Sequence, residues 1–124
     1  MKLRMYRNSV RLRLNQAEVA QFSKTGYVEE TIQFVPGTSF SYVLESSSTI
    51  ASPQANYKNG ELRVQIPAVS GMEWATGEGV GVSGEQPLGS GQILSILIEK
   101  DFQCVHGEVD PKAYPNPMGG AGCE

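Results

Sequence analysis

The sequence predicts an α+β fold, a mostly antiparallel barrel or half-barrel of about eight strands with two short helices. Apolar and polar residues alternate through most of the chain, which is typical of strands with one buried face. Two stretches carry the start and stop signals of helices, and Asn59 followed by Gly60 is a strong hairpin signal. A barrel is the expected arrangement because it limits the number of exposed sheet edges.

Length and composition indicate one globular domain without a membrane span. The chain has 124 residues, of which 40% are hydrophobic and 19% are charged, close to globular averages. No apolar run approaches the roughly 20 residues that cross a bilayer. Residues 2–7 interleave charged and apolar side chains, unlike the apolar block of a signal peptide. We therefore expect a cytoplasmic protein with no membrane partner.

The first strand signals change register within a few residues. Apolar side chains occupy odd positions in residues 2–6 and even positions in residues 10–14. One regular strand cannot present both sets on the same face, because successive side chains point to opposite faces. The sequence therefore predicts either a bulge or a tight turn at Asn8 and Ser9, and both alternatives remain open.

A short helix is predicted over residues 16–25. Asn15 and Glu18 have the spacing of a capping box, and Gly26 provides a left-handed stop. Strands are then predicted over residues 27–35, 39–45, 51–58 and 62–66, with Asn59 and Gly60 forming the hairpin turn before the last of them.

A second helix is predicted over residues 68–76, after Pro67, with Val69 and Met72 turned inward and Trp74 in the core. A short strand follows at residues 80–83. Residues 92–102 are apolar on both faces, which predicts a central strand covered on both sides.

The two halves of the chain resemble each other. The predicted order is β-α-β-β-β followed by β-α-β-β, and Phe22 and Trp74 each lie eight residues beyond a strand-end aliphatic residue, Leu14 or Ile66. The interpretation is a duplicated unit within a single domain of residues 1–106. Residues 107–124, rich in proline and glycine, form a predicted tail that is dispensable for folding and that docks, if it acts at all, on its own barrel or on a neighbouring copy.

Charge is distributed unevenly. Residues 1–63 have a balance of +3 and residues 64–124 a balance of −6. The pI near 5.2 excludes a general nucleic-acid binder, whose domain is normally basic. Arginine forks match carboxylate and phosphate oxygens, so the strand cations form a candidate anion-binding site. The alternative is the solvated face of amphipathic strands. The candidate residues are Lys2, Arg4, Arg11, Arg13 and Arg63.

Two other groups of residues attract a chemical interpretation. Glu30 shares the parity of apolar residues in its strand, so inside a barrel it needs a cation, for which Arg13 or Arg63 would serve; the alternative is a strand end open to water. Cys104 and His106 suggest a metal site only weakly, because zinc needs three or four ligands, and a solvated strand end explains them as well.

Two resemblances add to these patterns. Residues 8–19, 28–32, 99–102 and 114–117 resemble a small uncharacterised bacterial family of unknown function, over nearly the whole chain. The repeated β-α-β-β-β order is similar to the CYTH-like triphosphate-tunnel proteins. That resemblance implies a wide antiparallel barrel that binds triphosphate and a divalent metal. Their first strand carries two alternating glutamates and a lysine, whereas residues 2–6 and 11–14 here contain no acid.

Three hypotheses of function follow, and whether the chain is an enzyme stays open. The first is a protein that binds an anionic small molecule or a protein partner through a basic sheet face. The second, implied by the tunnel-protein resemblance, is a reduced phosphohydrolase acting on a triphosphate or polyphosphate, with Arg11 and Arg13 on the phosphates and Glu30, Glu99 or Asp101 on a divalent metal. The third is an assembly protein that forms a homo-oligomer through its tail.

Overall fold

The computed structural model of the chain describes residues 1–102, which contain eight strands and two helices. The predicted tail, the domain boundary at residue 106, Cys104 and His106 lie outside the described residues. No helix within residues 1–102 is long and apolar enough to cross a membrane. The elements are β1 (Lys2–Tyr6), β2 (Ser9–Leu14), α1 (Gln16–Thr25), β3 (Tyr27–Gln33), β4 (Ser39–Ser47), β5 (Gln54–Lys58), β6 (Glu61–Pro67), α2 (Ala68–Thr76), β7 (Gly81–Pro87) and β8 (Ile93–Lys100).

The strands form two separate mixed sheets. The first sheet has the order β1-β2-β8-β7 and the second sheet the order β3-β4-β6-β5. Each sheet is built from two antiparallel hairpins that meet through a parallel pair, β2 with β8 in the first sheet and β4 with β6 in the second. Within residues 1–102 the strands form two separate sheets that do not close into a barrel, so the predicted barrel is wrong. The predicted predominance of antiparallel pairing is confirmed, since four of the six strand pairs in these residues are antiparallel. The α+β class, the eight strands and the two helices are confirmed.

The two sheets meet at two seams that contain side-chain contacts. At the seam between β5 and β7, the Gln86 side-chain oxygen accepts a hydrogen bond from the Ala55 backbone N–H at 2.7 Å. Pro53 packs so closely on Gly84 that a Cβ added there would lie 2.7 Å from the proline ring. At the seam between β1 and β3, the amino group of Met1 lies 3.0 Å from a carboxylate oxygen of Glu30.

The element order repeats as β-β-α-β-β in each half of the chain. The strand registers show which positions of the two halves correspond. Lys2 pairs with Arg13 between β1 and β2, and Gln54 pairs with Gln65 between β5 and β6. Across the parallel contacts, Arg13 pairs with Glu99 and Gln65 pairs with Glu45. We call residues at corresponding register positions counterparts. The predicted repeat is present from β2 onward. The strand registers show that each repeated unit also includes the strand before it, β1 in the first half and β5 in the second.

Local signals explain the first helix and the first turn. The Asn15 side chain accepts a hydrogen bond from the Glu18 N–H while the Glu18 carboxylate accepts one from the Asn15 N–H, so the predicted capping box is confirmed. Gly26 ends the helix in the left-handed region at φ 70°. Between β1 and β2 the chain makes a tight turn at Arg7 and Asn8, which decides between the bulge and the turn in favour of the turn.

The second helix has the predicted bounds but buries a different side. Val69 is 70% exposed and Met72 is 47% exposed, so the prediction that they turn inward is wrong. Gly71 is buried instead, and Trp74 is buried as predicted. The Trp74 ring makes an edge-to-face contact with Phe22 of α1, with ring centroids 5.9 Å apart. A Cβ on Gly71 would lie 3.1 Å from the Phe22 ring, so glycine lets the two helices approach closely.

One hydrophobic core lies between the inner faces of the two sheets, and the helices complete it. We call the side of each sheet that faces this core its inner face and the other side its outer face. The core residues alternate along the strands, so the predicted period of two is confirmed. The fully buried members are Leu12, Leu14, Leu44, Val64, Ile66 and Ile98, and Ile96 is 2% exposed.

We expect Ile96→Ala to lower the free energy of unfolding by about 2–5 kcal/mol, because it leaves a cavity in the inner face of the interior strand β8. Ile93→Ala in the same strand is the matched control; Ile93 is 47% exposed, so its loss should stay below about 1 kcal/mol. Chemical denaturation measures both. Equal losses would show that β8 is not an interior strand.

We expect Gly60→Val to destabilise the protein by at least about 1–2 kcal/mol, because Gly60 holds φ at +77° and an added Cβ would lie 3.1 Å from the Ser39 carbonyl oxygen. Gly79→Val serves as the control, since its added Cβ meets nothing within 4 Å. Thermal melting compares the two variants. An unchanged melting temperature for Gly60→Val would contradict a turn that requires a left-handed residue.

Candidate functional site

Four of the predicted anion-binding residues lie together on the outer face of the hairpin β1–β2. Lys2 is the cross-strand partner of Arg13, and Arg4 is the cross-strand partner of Arg11. All four side chains point away from the core, because the alternate residues of both strands form the inner face. We call Lys2, Arg4, Arg11 and Arg13 the basic face.

Two carboxylates at the end of β8 hold three of these cations. Glu99 accepts a hydrogen bond from Arg11 Nε at 2.6 Å and lies 3.5 Å from Arg13 Nε. Asp101 lies 3.0 Å from Arg13 Nη2 and 2.9 Å from Lys2 Nζ. The hydrogen bond from Lys2, assisted by the charge of Arg13, holds the pKa of Asp101 below its ordinary value. The arrangement fixes the arginine side chains in place on an open surface.

The fifth candidate, Arg63, lies elsewhere. It occupies the outer face of β6 in the second sheet, so the core separates it from the basic face. Its guanidinium donates to Glu45 and to Glu61, each at 2.8 Å. The five residues therefore do not form one site, because the strand of Arg63 belongs to the other sheet.

Arg11 and Arg63 nevertheless play the same structural part. Each is the cross-strand neighbour of an apolar outer-face residue, Leu97 for Arg11 and Val43 for Arg63. Arg11 bonds Glu99 in the adjacent parallel strand. Arg63 bonds Glu45, the counterpart of Glu99. The pair spans the parallel contact of each sheet and covers apolar surface with the arginine stem.

The other three cations of the basic face have no such counterparts. The second sheet keeps the arginine–glutamate pair and the strand geometry, yet it is neutral at the three corresponding positions. Lys2, Arg4 and Arg13 correspond to Gln54, Asn56 and Gln65. The second sheet therefore forms without a cation at these positions, and their charge is a property of the first sheet alone.

A shallow concavity of about 550 Å³ adjoins Arg11 on the same outer face. Small side chains leave this space open, and hydroxyl groups line it together with the guanidinium. Ser9 uses its hydroxyl to donate to the Tyr6 carbonyl at 2.6 Å. The other outer-face lining residues are Ser83, Glu85, Ser95 and Leu97. Hydroxyls and a guanidinium are donors that suit an anionic oxygen.

The predicted metal candidates do not converge. Glu99 and Asp101 are paired with the basic face, whereas Glu30 lies on the inner face of β3 in the other sheet. In the part of the chain that the structure describes, no three or more histidine, cysteine, aspartate or glutamate residues are grouped to hold a metal ion. These residues therefore do not fit the divalent metal that the tunnel-protein resemblance implies.

Glu30 has a cationic partner that the side-chain pattern did not reveal. Its carboxylate lies 3.0 Å from the amino group of Met1, which also binds Glu18, and the Tyr42 hydroxyl donates to the Met1 carbonyl at 2.6 Å. The structure thus gives Glu30 this ammonium, where Arg13 or Arg63 was expected. The main-chain amino group of Met1 is not a side chain, so a search for charged side chains does not find it. The one signal for this partner was its position next to Lys2, at the start of the first predicted strand.

Burial and charge act against each other in this cluster. Burial disfavours the Met1 ammonium, but hydrogen bonds to Glu18 and Glu30 outweigh it and raise its pKa. Burial likewise disfavours the Glu18 carboxylate, but its hydrogen bonds to the Met1 ammonium and to Asn15 outweigh it and lower its pKa. Burial, followed by the charge of Glu30, raises the pKa of Tyr42. The cluster is therefore stable with its charges in place.

We expect Glu18→Gln to reduce the free energy of unfolding by about 1–2 kcal/mol near neutral pH. Glutamine can still form the capping box, but it lacks the negative charge that pairs with the Met1 ammonium. Because the pKa of the Met1 ammonium is raised, its contribution to the free energy of unfolding is fully present below pH 8.0. That contribution is lost as the pH rises through the folded-state pKa. Because the pKa of Glu18 is lowered, its contribution to the free energy of unfolding is fully present above pH 4.5. That contribution is lost as the pH falls through the folded-state pKa.

Chemical denaturation of both proteins from about pH 3 to about pH 10 checks this window. The difference between wild type and Glu18→Gln should be largest between the two pKa values and shrink outside them. Glu73→Gln, an exposed change on α2 that removes the same charge, is the control and should follow the wild type. Parallel curves for Glu18→Gln and wild type at every pH would contradict the ion pair.

Comparison with known proteins gives a family and no activity. No curated protein and no solved structure significantly matches the chain. The model of the Family of unknown function (DUF7009) matches residues 1–118, which include all the strands and helices described in residues 1–102 and the basic face. This match agrees with the resemblance to an uncharacterised family that the sequence carries. The chain belongs to this family of unknown function.

Proposed function

We propose that the chain is a binding protein that holds an anionic group, a carboxylate or a phosphate, on the basic face. The observation that carries this proposal is the difference between the two sheets. Arg11 and Arg63 are equivalent structural residues, but Lys2, Arg4 and Arg13 are cations only in the first sheet. Since the second sheet forms without cations at the corresponding positions, the strand geometry does not require their charge.

The chemistry of the basic face suits such a ligand. Arginine presents a planar fork of N–H donors to two oxygens at once, and lysine adds a mobile point charge. The Lys2 side chain is 66% exposed and is open to an incoming group. Glu99 and Asp101 orient the arginines before the ligand arrives, but their negative charge also weakens the local potential. We therefore expect moderate affinity that decreases with added salt.

The shape of the site favours a ligand presented from outside over one that is enclosed. The basic face is the solvent side of a sheet, and the concavity beside Arg11 is shallow and contains Glu85. Enclosed small-molecule sites bury most of their ligand. An acidic segment of a protein partner and a free polyphosphate share the relevant chemistry, so the test includes both.

We expect both the full-length chain's melting temperature and its free energy of unfolding to rise when the anion is present. A ligand at 100 times its Kd stabilises a protein by about 2.7 kcal/mol. Thermal-shift measurements with tripolyphosphate and with an oligo-glutamate peptide separate the two sources. No stabilisation by either anion would overturn the proposal.

A pair of double variants shows whether the basic face is the site. Lys2→Gln with Arg4→Asn replaces both residues by their counterparts and should abolish most of the shift. Lys24→Gln with Lys58→Gln removes the same charge from exposed positions outside the basic face and should retain it. Equal losses in the two variants would indicate binding to net charge alone and would also overturn the proposal.

The phosphohydrolase alternative requires the same anion and a divalent metal in addition. The described residues offer no metal group to support it. Tripolyphosphate with and without Mg²⁺ or Mn²⁺ tests it in the same measurement: a shift that depends on the metal, followed by release of phosphate, would favour the enzyme over the binding protein.

A further inference from the structure

A groove runs beside α1 at the end of the molecule where β8 leaves the first sheet. Its volume is about 780 Å³. The residues at its base come from the core, and residues of both helices form its walls. The apolar lining residues are Leu14, Val19, Ala20, Ala75 and Phe102. Polar groups from the start of α1 and from Lys100 and Asp101 lie along its rim.

The described chain ends in this groove. The backbone N–H of Asp101 donates a hydrogen bond to the Leu14 carbonyl at 2.8 Å, so the chain is held beside the groove up to the residue before Phe102. Phe102, which lines the groove, is 58% exposed. A large apolar residue exposed beside an open apolar groove indicates that something covers both.

The segment that follows has the length and composition to cover it. At about 3.3 Å per residue, residues 103–118 reach much further than the groove extends. They include the apolar residues Val105, Val109, Tyr114 and Met118. The family model continues through this segment and ends at residue 118, so the segment belongs to the same family unit as the sheets.

We propose that residues 103–118 of the chain bind in the groove beside α1 of the same molecule. The groove begins where the segment begins, so binding closes only a short loop and has a low entropic cost. The same groove on a second copy, or a different protein, would have to compete with a segment that is permanently attached.

Trypsin provides a direct probe in the intact chain. Lys112 is the only lysine or arginine in residues 101–124, so cleavage after it reports on the segment alone. We expect cleavage of the folded wild type to be slow, because the bond is accessible only in molecules whose segment has left the groove. Mass spectrometry of the released fragment of residues 113–124 gives the rate.

Two variants of α1 form a matched pair. Ala20→Glu places a charge in the groove lining and should accelerate cleavage by about tenfold or more. Ala17→Glu places the same charge at another exposed position of the same helix, which does not line the groove, and should leave the rate unchanged. Far-ultraviolet circular dichroism of both variants shows whether the helix itself is intact.

The outcomes either support or overturn the proposal. Faster cleavage in Ala20→Glu alone, at a rate independent of protein concentration, supports binding within one molecule. Equal rates in wild type and Ala20→Glu, whether fast or slow, overturn it. Protection that grows with protein concentration, together with an earlier elution volume, also overturns it and assigns the groove to a second copy. If Ala20→Glu unfolds, Ala20→Ser replaces it, and the measurement is then the exchange of the Val105 amide hydrogen for deuterium. A Val105 amide hydrogen that exchanges as fast as in a free peptide overturns the proposal.

Discussion

Two parallel strand contacts, β2 with β8 and β4 with β6, are the constraint on which the rest of the structure depends. A two-stranded hairpin is marginal in water and leaves one apolar face uncovered. Each contact joins a hairpin from the first half of the chain to one from the second, and so produces a four-stranded sheet. The two sheets can then bury their inner faces against each other. Neither half of the chain can form this core alone, because each contributes only half of each sheet.

The helices and the seams follow from that arrangement. Each helix leads the chain from one sheet to the other, and the contact between Phe22 and Trp74 places the two crossings side by side. The edges that remain, β1 beside β3 and β5 beside β7, lie within each half of the chain. They are joined differently: charges of Met1 and Glu30 meet at the first, whereas Pro53 packs on Gly84 at the second. Met1 and Pro53 occupy equivalent positions just before β1 and β5, and Glu30 and Gly84 are counterparts in β3 and β7. The same two positions therefore form an ion pair in one half of the chain and a packing contact in the other.

The elements whose signals are local could be predicted from the sequence. The capping box of Asn15, the left-handed stop at Gly26 and the turn at Gly60 depend on a few adjacent residues. Strand alternation also placed Lys2, Arg4, Arg11 and Arg13 on one face. Strand order could not be predicted, because a period of two shows which face is buried but not which strand lies alongside. For that reason the barrel was wrong and Arg63 was grouped with residues of the other sheet.

Two further differences have the same kind of cause. Apolar spacing favoured Val69 and Met72 as the buried side of α2, but close helix packing selects Gly71, whose missing side chain carries no hydropathy signal. The partner of Glu30 is a main-chain amino group, which no pattern of side chains can reveal.

The parallel pairing of β2 with β8 also has a consequence for the order of events during synthesis. The hairpin β1–β2 emerges from the ribosome before the other described strands, yet its neighbour in the sheet is the last strand of the described chain. At about 5–20 residues per second, the nascent chain exposes the apolar side of β2 for several seconds before β8 arrives. Contacts between distant parts of a chain also slow folding. The second sheet, whose strands are all made earlier, can assemble while the first waits. The edge of β2 that later pairs with β8 stays open during that interval. The alternating arginines beside the apolar residues of β2 are the kind of charge that keeps such an edge soluble.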